Sequence, residues 1–195
     1  MIKETKILDE KLMTVDENDR PLEHADADTP VFHRGVAVLV LNAKEEILLH
    51  RPRSQTGTTF LPWKSSCYGA VLKGEDYRAA AVRVFKEFFG LDVHPFKLES
   101  LDYIRPNPDN GNRFIHGYIL RTHGEIQYIR SVPAEVTWFR PSDIQSATVS
   151  KRMNLSPVLE QLLNNYLRLL EHKRKRNSAL HTSLNSERHF RLIDS

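Results

Sequence analysis

The stretch Gly69–Leu91, GAVLKGEDYRAAAVRVFKEFFGL, decides the fold. A glycine-containing loop leads into a helix predicted over Asp76 to Phe89. Ala79, Ala80, Val82, Phe85, Phe88 and Phe89 line one broad apolar face of it at the 3.6-residue period. Gly90 is a typical helix stop. Arg83 precedes Glu87 by four residues, a spacing that makes the two neighbours on the helix surface and a natural ion pair.

Working outward from this helix, the segments on either side read as strands. Val36 to Leu41, VAVLVL, is a short apolar run rich in β-branched residues, too short for a buried helix and suited to a central strand. Residues 42–45 form a turn, and Glu46 to His50 a second strand. Residues 52–68 read as a loop with Trp63 as its anchor in the core. After the helix come strands near 97–105, 113–121 and 135–140, the first two joined by the turn-rich segment 106–111. Toward the N-terminus, Lys11 to Val15 reads as a short strand followed by the turn Asp16–Asp19. Pro141 opens a short helix. Ser156 and Pro157 then offer an N-cap and a proline at the first helical position. The helix they start carries Leu159, Leu162, Leu163, Tyr166 and Leu170, and is expected to end near His172.

This order of elements predicts a mixed α+β or α/β sandwich in one domain, residues 1–172. Its C-terminal helix is expected at about 156–172, and residues 173–195 as a polar, basic, flexible tail. Lys173–Arg176 sit just past the expected helix end, where cations are favoured by the dipole. A solvated end and a patch for an acidic partner are both open for that run.

Composition narrows the classes. The 195 residues are 40% hydrophobic and 27% charged, which is ordinary for a soluble chain. A formal net charge of +3 is too small to indicate nucleic-acid binding, so such a partner is not expected. A single cysteine, Cys67, leaves no internal disulfide and fits a reducing compartment. The N-terminal residues lack the apolar core of a signal peptide, and no apolar run approaches the length of a membrane span. A cytoplasmic location is the expectation.

The 69–91 stretch resembles the Nudix signature, Gly-x5-Glu-x7-Arg-Glu-U-x-Glu-Glu-x-Gly-U, where U is a bulky aliphatic. Gly69, Glu75, Arg83, Glu87, Gly90 and Leu91 stand at matching offsets, and Phe85 fills the first U. Val84 and Phe88 stand where the family has glutamates. The resemblance implies an α/β/α sandwich with a mixed central sheet, and a helix whose carboxylates hold Mg²⁺ or Mn²⁺ against a diphosphate. Oxygen ligands suit such hard cations, and the bound cation neutralises the phosphates and orients the attacking water. Carried over, the metal ligands are Glu87 and Glu75, which together with Glu135 are the candidate catalytic carboxylates. Glu135 lies in a segment that often supplies an extra glutamate in the family. For Glu87, the ion pair with Arg83 remains an alternative to metal binding.

Beyond the signature, residues 33–38, 48–53 and 63–69 resemble the isopentenyl-diphosphate isomerase-like branch. In that branch the arginines ending the second strand contact phosphate, which maps to Arg51 and Arg53. Lys64 is a further candidate for substrate binding, and guanidinium groups suit phosphate through paired hydrogen bonds. The isomerase residues themselves do not carry over. Tyr68 occupies the cysteine column with Cys67 one place earlier, Ala70 replaces a metal-binding histidine, and His24 and His33 are spaced differently from the family's pair. Cys67 accordingly reads as a small buried hydrophobe.

Two functions follow from the resemblance. One is a metal-dependent hydrolase of a small-molecule diphosphate, slow for want of two glutamates. The other is a catalytically inactive Nudix-fold module that binds a nucleotide, another diphosphate or a protein partner; a homodimer is also open. Isomerase activity is third.

Overall fold

The computed structural model describes residues 12–22, 30–54, 59–129 and 134–191. Its first strands are β1 (Thr14–Val15) and the ten-residue β2 (Phe32–Leu41). They are followed by β3 (Ile47–Pro52), β4 (Cys67–Ala70) and the helix α1 (Tyr77–Phe89). Then come β5 (Leu98–Ile104), β6 (Arg113–Arg121), β7 (Ala134–Phe139), the short helix α2 (Pro141–Val149) and the long helix α3 (Pro157–Arg191). The strands form one seven-stranded mixed sheet among the described residues, in the order β5-β6-β2-β3-β7, with β1 and β4 also paired to β2.

β2 organises this sheet. Along one edge it runs parallel to β6 from His33↔Arg113 to Leu41↔Arg121. Its other edge is shared in succession by β1, β4 and β3, all antiparallel. The run VAVLVL is continuous because both faces of the sheet are covered. Val36, Val38 and Val40 pack under α1 together with Cys67, Phe85 and Phe88. Ala37, Leu39 and Leu41 point the other way, into a second core with Trp63, Leu159, Leu162 and Tyr166. Two-residue alternation thus assigns each half of β2 to a different helix layer, and the α/β/α sandwich expected from the sequence is what forms. No helix among the described residues is long and apolar enough to cross a membrane.

Local chemistry accounts for the element ends. Asp76 caps α1 by accepting from the Ala79 N–H (2.7 Å), and Gly90 closes it at φ 68°, a left-handed conformation that glycine adopts without strain. Trp63 anchors its loop as expected: its N–H donates to the Asn154 carbonyl, and its own carbonyl accepts from the Ser156 N–H just ahead of α3. The leader is tied down as well. Met13 N–H bonds the Val71 carbonyl, and Asp19 accepts from Arg34, Tyr77 and Tyr103.

Three expectations need correction. Within α1 the buried face is Ala80, Ala81, Val84, Phe85, Phe88 and Phe89, whereas Ala79 is exposed and Val82 only partly covered. The face is rotated by about one residue because Gly69 of β4 packs directly over Val84. β3 extends to Pro52, while Glu46 belongs to the preceding turn, bonded to Asn42. Most visibly, the last helix does not stop near His172 but continues to Arg191. The segment just past His172, Lys173–Arg176, has no apolar period, yet Lys and Arg are good helix formers and propagate a helix already nucleated on the sheet. Lys11, His24 and the ends of the chain lie outside the described residues.

Candidate active site

Arg83, midway along α1, gathers the signature residues. Its Nε and one terminal nitrogen donate to the two oxygens of Glu75 (2.6 and 2.9 Å), and the other terminal nitrogen donates to Glu87 (2.8 Å). The group also donates to the Ala70 carbonyl at 2.7 Å, which stitches α1 to β4. Glu75 accepts a further bond from the Leu72 N–H (2.9 Å). Burial pushes the Glu75 carboxyl up, but the bonds from Arg83 and Leu72 outweigh it and hold it below the usual carboxylate range. The bond that Arg83 donates to Glu75 is also the main reason the arginine is held firmly protonated.

Glu75 and Glu87 therefore meet, but around a guanidinium. Glu135 is elsewhere: on β7 it pairs across the sheet with Arg51 of β3, accepting from Nε (3.1 Å) and a terminal nitrogen (2.5 Å). Arg51 is further braced by the rings of Phe60 (4.2 Å) and Trp63 (5.0 Å), and Arg53 lies over Phe60 at 4.8 Å. Lys64 differs from both arginines: its ammonium donates to the Tyr68 hydroxyl (3.1 Å) and lies 4.5 Å from that ring. It lines a cavity of about 410 Å³ that neither arginine reaches.

Val84 and Phe88 lie on the buried side of α1, 0% and 1% exposed. Phe88 stands edge-on to His50 (5.6 Å) and packs with Tyr68 (5.9 Å) and Tyr128 (5.8 Å). His50 stacks flat on Tyr68, and its Nδ1 lies 2.7 Å from the Ser65 carbonyl. An aromatic cluster thus fills the space beside α1. Among the described residues no three His, Cys, Asp or Glu side chains converge to hold a metal ion. The donor set does not fit a divalent cation, because the two carboxylates on hand already share one arginine.

Cys67 is fully buried in the core under α1. Burial pushes its thiol well up, and the nearby charge of Glu87 adds to this, so it remains a neutral thiol. His33, in β2, pairs across the sheet with Thr14 and Arg113. The cavity's other cation, Arg113, went unnoticed in the sequence. As the first residue of β6 after a turn it looks like any exposed strand-opening charge, and only the fold carries it beside Lys64.

A mixed sheet between two helix layers, with a glycine loop running into a helix whose arginine grips two glutamates, defines a Nudix-type sandwich. The chain belongs to the NUDIX domain family: the family model matches residues 31–162, more than half of the sequence. Solved structures agree on the fold. DR0079 from Deinococcus radiodurans superposes with a TM-score of 0.60 at 21% identity, covering 79% of this chain and 97% of that one. The E. coli ORF135 protein gives 0.52 at 21% identity, with 70% and 89% covered. A MutT protein from Methanosarcina mazei gives 0.53 at 16% identity, with 73% and 97% covered. Among curated proteins, none matches this chain in sequence.

Proposed function

We propose that this protein is a Nudix-fold module that binds a small phosphorylated molecule, of the diphosphate class its family acts on, without metal-dependent hydrolysis. One observation carries the reading: Val84 and Phe88, at the positions of two family glutamates, are buried core residues in contact with the sheet. The two remaining glutamates supply the second half of the argument. A cation there would have to displace Arg83 from Glu75 and Glu87, whose charge that arginine already offsets in part. In this reading Glu75 and Glu87 hold α1 to the loop before it, and Glu135 braces Arg51. Lys64 keeps the ligand-binding role that its sequence position suggested.

Hydrolysis is the second reading. It is favoured by family membership and by Glu87, whose side chain is 49% exposed and able to swing toward solvent. Turnover would then be slow, since lost metal ligands forfeit several kcal/mol of transition-state stabilisation and each ~1.4 kcal/mol is tenfold in rate. The isomerase-like reading is the weakest, because a fully buried neutral thiol at Cys67 cannot move protons on a substrate.

A panel of nucleoside, sugar and isoprenoid diphosphates with Mg²⁺ and Mn²⁺ tests the proposal, scored for both phosphate release and thermal stabilisation. Stabilisation by at least one compound with no release above background is the expected result. Release that disappears in Glu87→Gln would instead establish the hydrolase.

A further inference from the structure

The cavity lined by Lys64 and Arg113 does not end at β4. A second hollow of about 390 Å³ shares Asp109, Asn110, Pro157 and Val158 with it, so the two form one groove along the first turns of α3. Its chemistry changes along its length. At the end beside Gly69 and Ala70 stand two cations. Arg113 is exposed and makes no ion pair among the described residues, and Lys64 is held by a phenol and its ring rather than by a carboxylate. At the other end the wall is amide-rich, with Gln161, Asn164 and Asn165 from α3 beside Glu160 and Arg168, while Asp109 stands at the junction and lines both hollows. Asp102 takes the Asn165 amide N–H, which leaves that side chain's carbonyl oxygen to accept from a ligand. Only Ile104, Pro157 and Val158 offer apolar surface there.

Unpaired cations next to small residues suit a phosphate group, and a guanidinium binds it with directed, charge-assisted bonds. Amide and carboxylate oxygens accept from hydroxyl groups and amide nitrogens donate to them. The same wall would leave an isoprenoid tail largely without apolar partners. We propose that the groove binds a sugar phosphate without a metal ion, its phosphate on Arg113 and Lys64 and its hydroxyls along the amide-lined face of α3. This rests on the binding-module reading above and adds the ligand class, the residues that recognise it and its independence of metal.

Calorimetric titration in EDTA with hexose and pentose 1-phosphates, isopentenyl diphosphate and inorganic phosphate tests it. At least one sugar phosphate is expected to bind tenfold or more tightly than isopentenyl diphosphate and inorganic phosphate. Arg113→Ala should weaken that binding about tenfold or more, with Arg113→Lys intermediate because it keeps charge but loses the fork. Asn164→Leu should remove the preference for sugars while leaving inorganic phosphate unchanged, and unaltered melting temperatures would show that the variants fold. Isopentenyl diphosphate binding as tightly as any sugar phosphate, or affinity indifferent to Arg113, would overturn the groove assignment and leave the binding module standing. Binding seen only with Mg²⁺ would overturn its metal independence. Failure of every phosphorylated compound, with or without metal, would remove both.

Discussion

At the scale of one residue, Arg83 lets two glutamates sit near each other by donating to both. The arrangement has an acid limb. The folded-state value of Glu75 is depressed, so its contribution to stability is fully present above the unfolded carboxylate pKa of about 4.3 and is lost as pH falls through the lower folded value. Glu75→Gln should therefore lower the melting temperature at neutral pH and flatten its fall below about pH 4.3, relative to the native chain; parallel acid limbs in differential scanning calorimetry would contradict this. Gly69 makes the complementary point about space. A β-carbon there would lie 2.5 Å from Cγ2 of Val84, so Gly69→Ala is expected to cost about 1–3 kcal/mol through overpacking. Adding Val84→Ala should relieve the clash, and urea unfolding should show the pair less destabilised than the two single changes summed. At this scale the sequence was partly legible. Arg83 and Glu87 were visible as neighbours because helical spacing is local, but Glu75 reaches Arg83 across a turn that no period encodes. The burial of Val84 also depends on β4, not on the helix alone.

At the scale of elements, β6 was read to the residue, whereas β2 was read only from Val36. An uninterrupted apolar run marks the part of a strand buried on both faces, and the first residues of β2, Phe32 to Arg34, are only partly buried. The last helix was read correctly at its start and missed at its end. Apolar periodicity marks only the part of a helix that packs, and among the described side chains of α3 the buried ones are Leu159, Leu162, Leu163 and Tyr166. Residues 171–176 are exposed throughout. A chain ending at His172 is therefore expected to melt within about 2 °C of the full-length protein, less than the shift that 1 kcal/mol produces at this size. A larger drop would mean that the distal turns of α3 hold something in place.

At the scale of the whole molecule, the family and its layers were legible and the groove was not. Lys64, Arg113 and Asn164 come from a loop, a strand start and a helix separated by some fifty residues each, and they line adjoining hollows because β6 runs parallel to β2 while α3 packs on the face opposite α1. Of the cations the sequence pointed to, Lys64 lines the groove, while the fold commits Arg51 and Arg53 to Glu135 and Phe60. The buried pair Val84 and Phe88 has one more consequence, which concerns the order in which substitutions could be made. A carboxylate introduced at either position alone would sit unpaired in the core, at a cost of several kcal/mol, before the other could arrive to share a cation with it. Two carboxylates therefore cannot be introduced on the packed side of α1 one at a time without passing through a less stable fold, so this interior resists stepwise change.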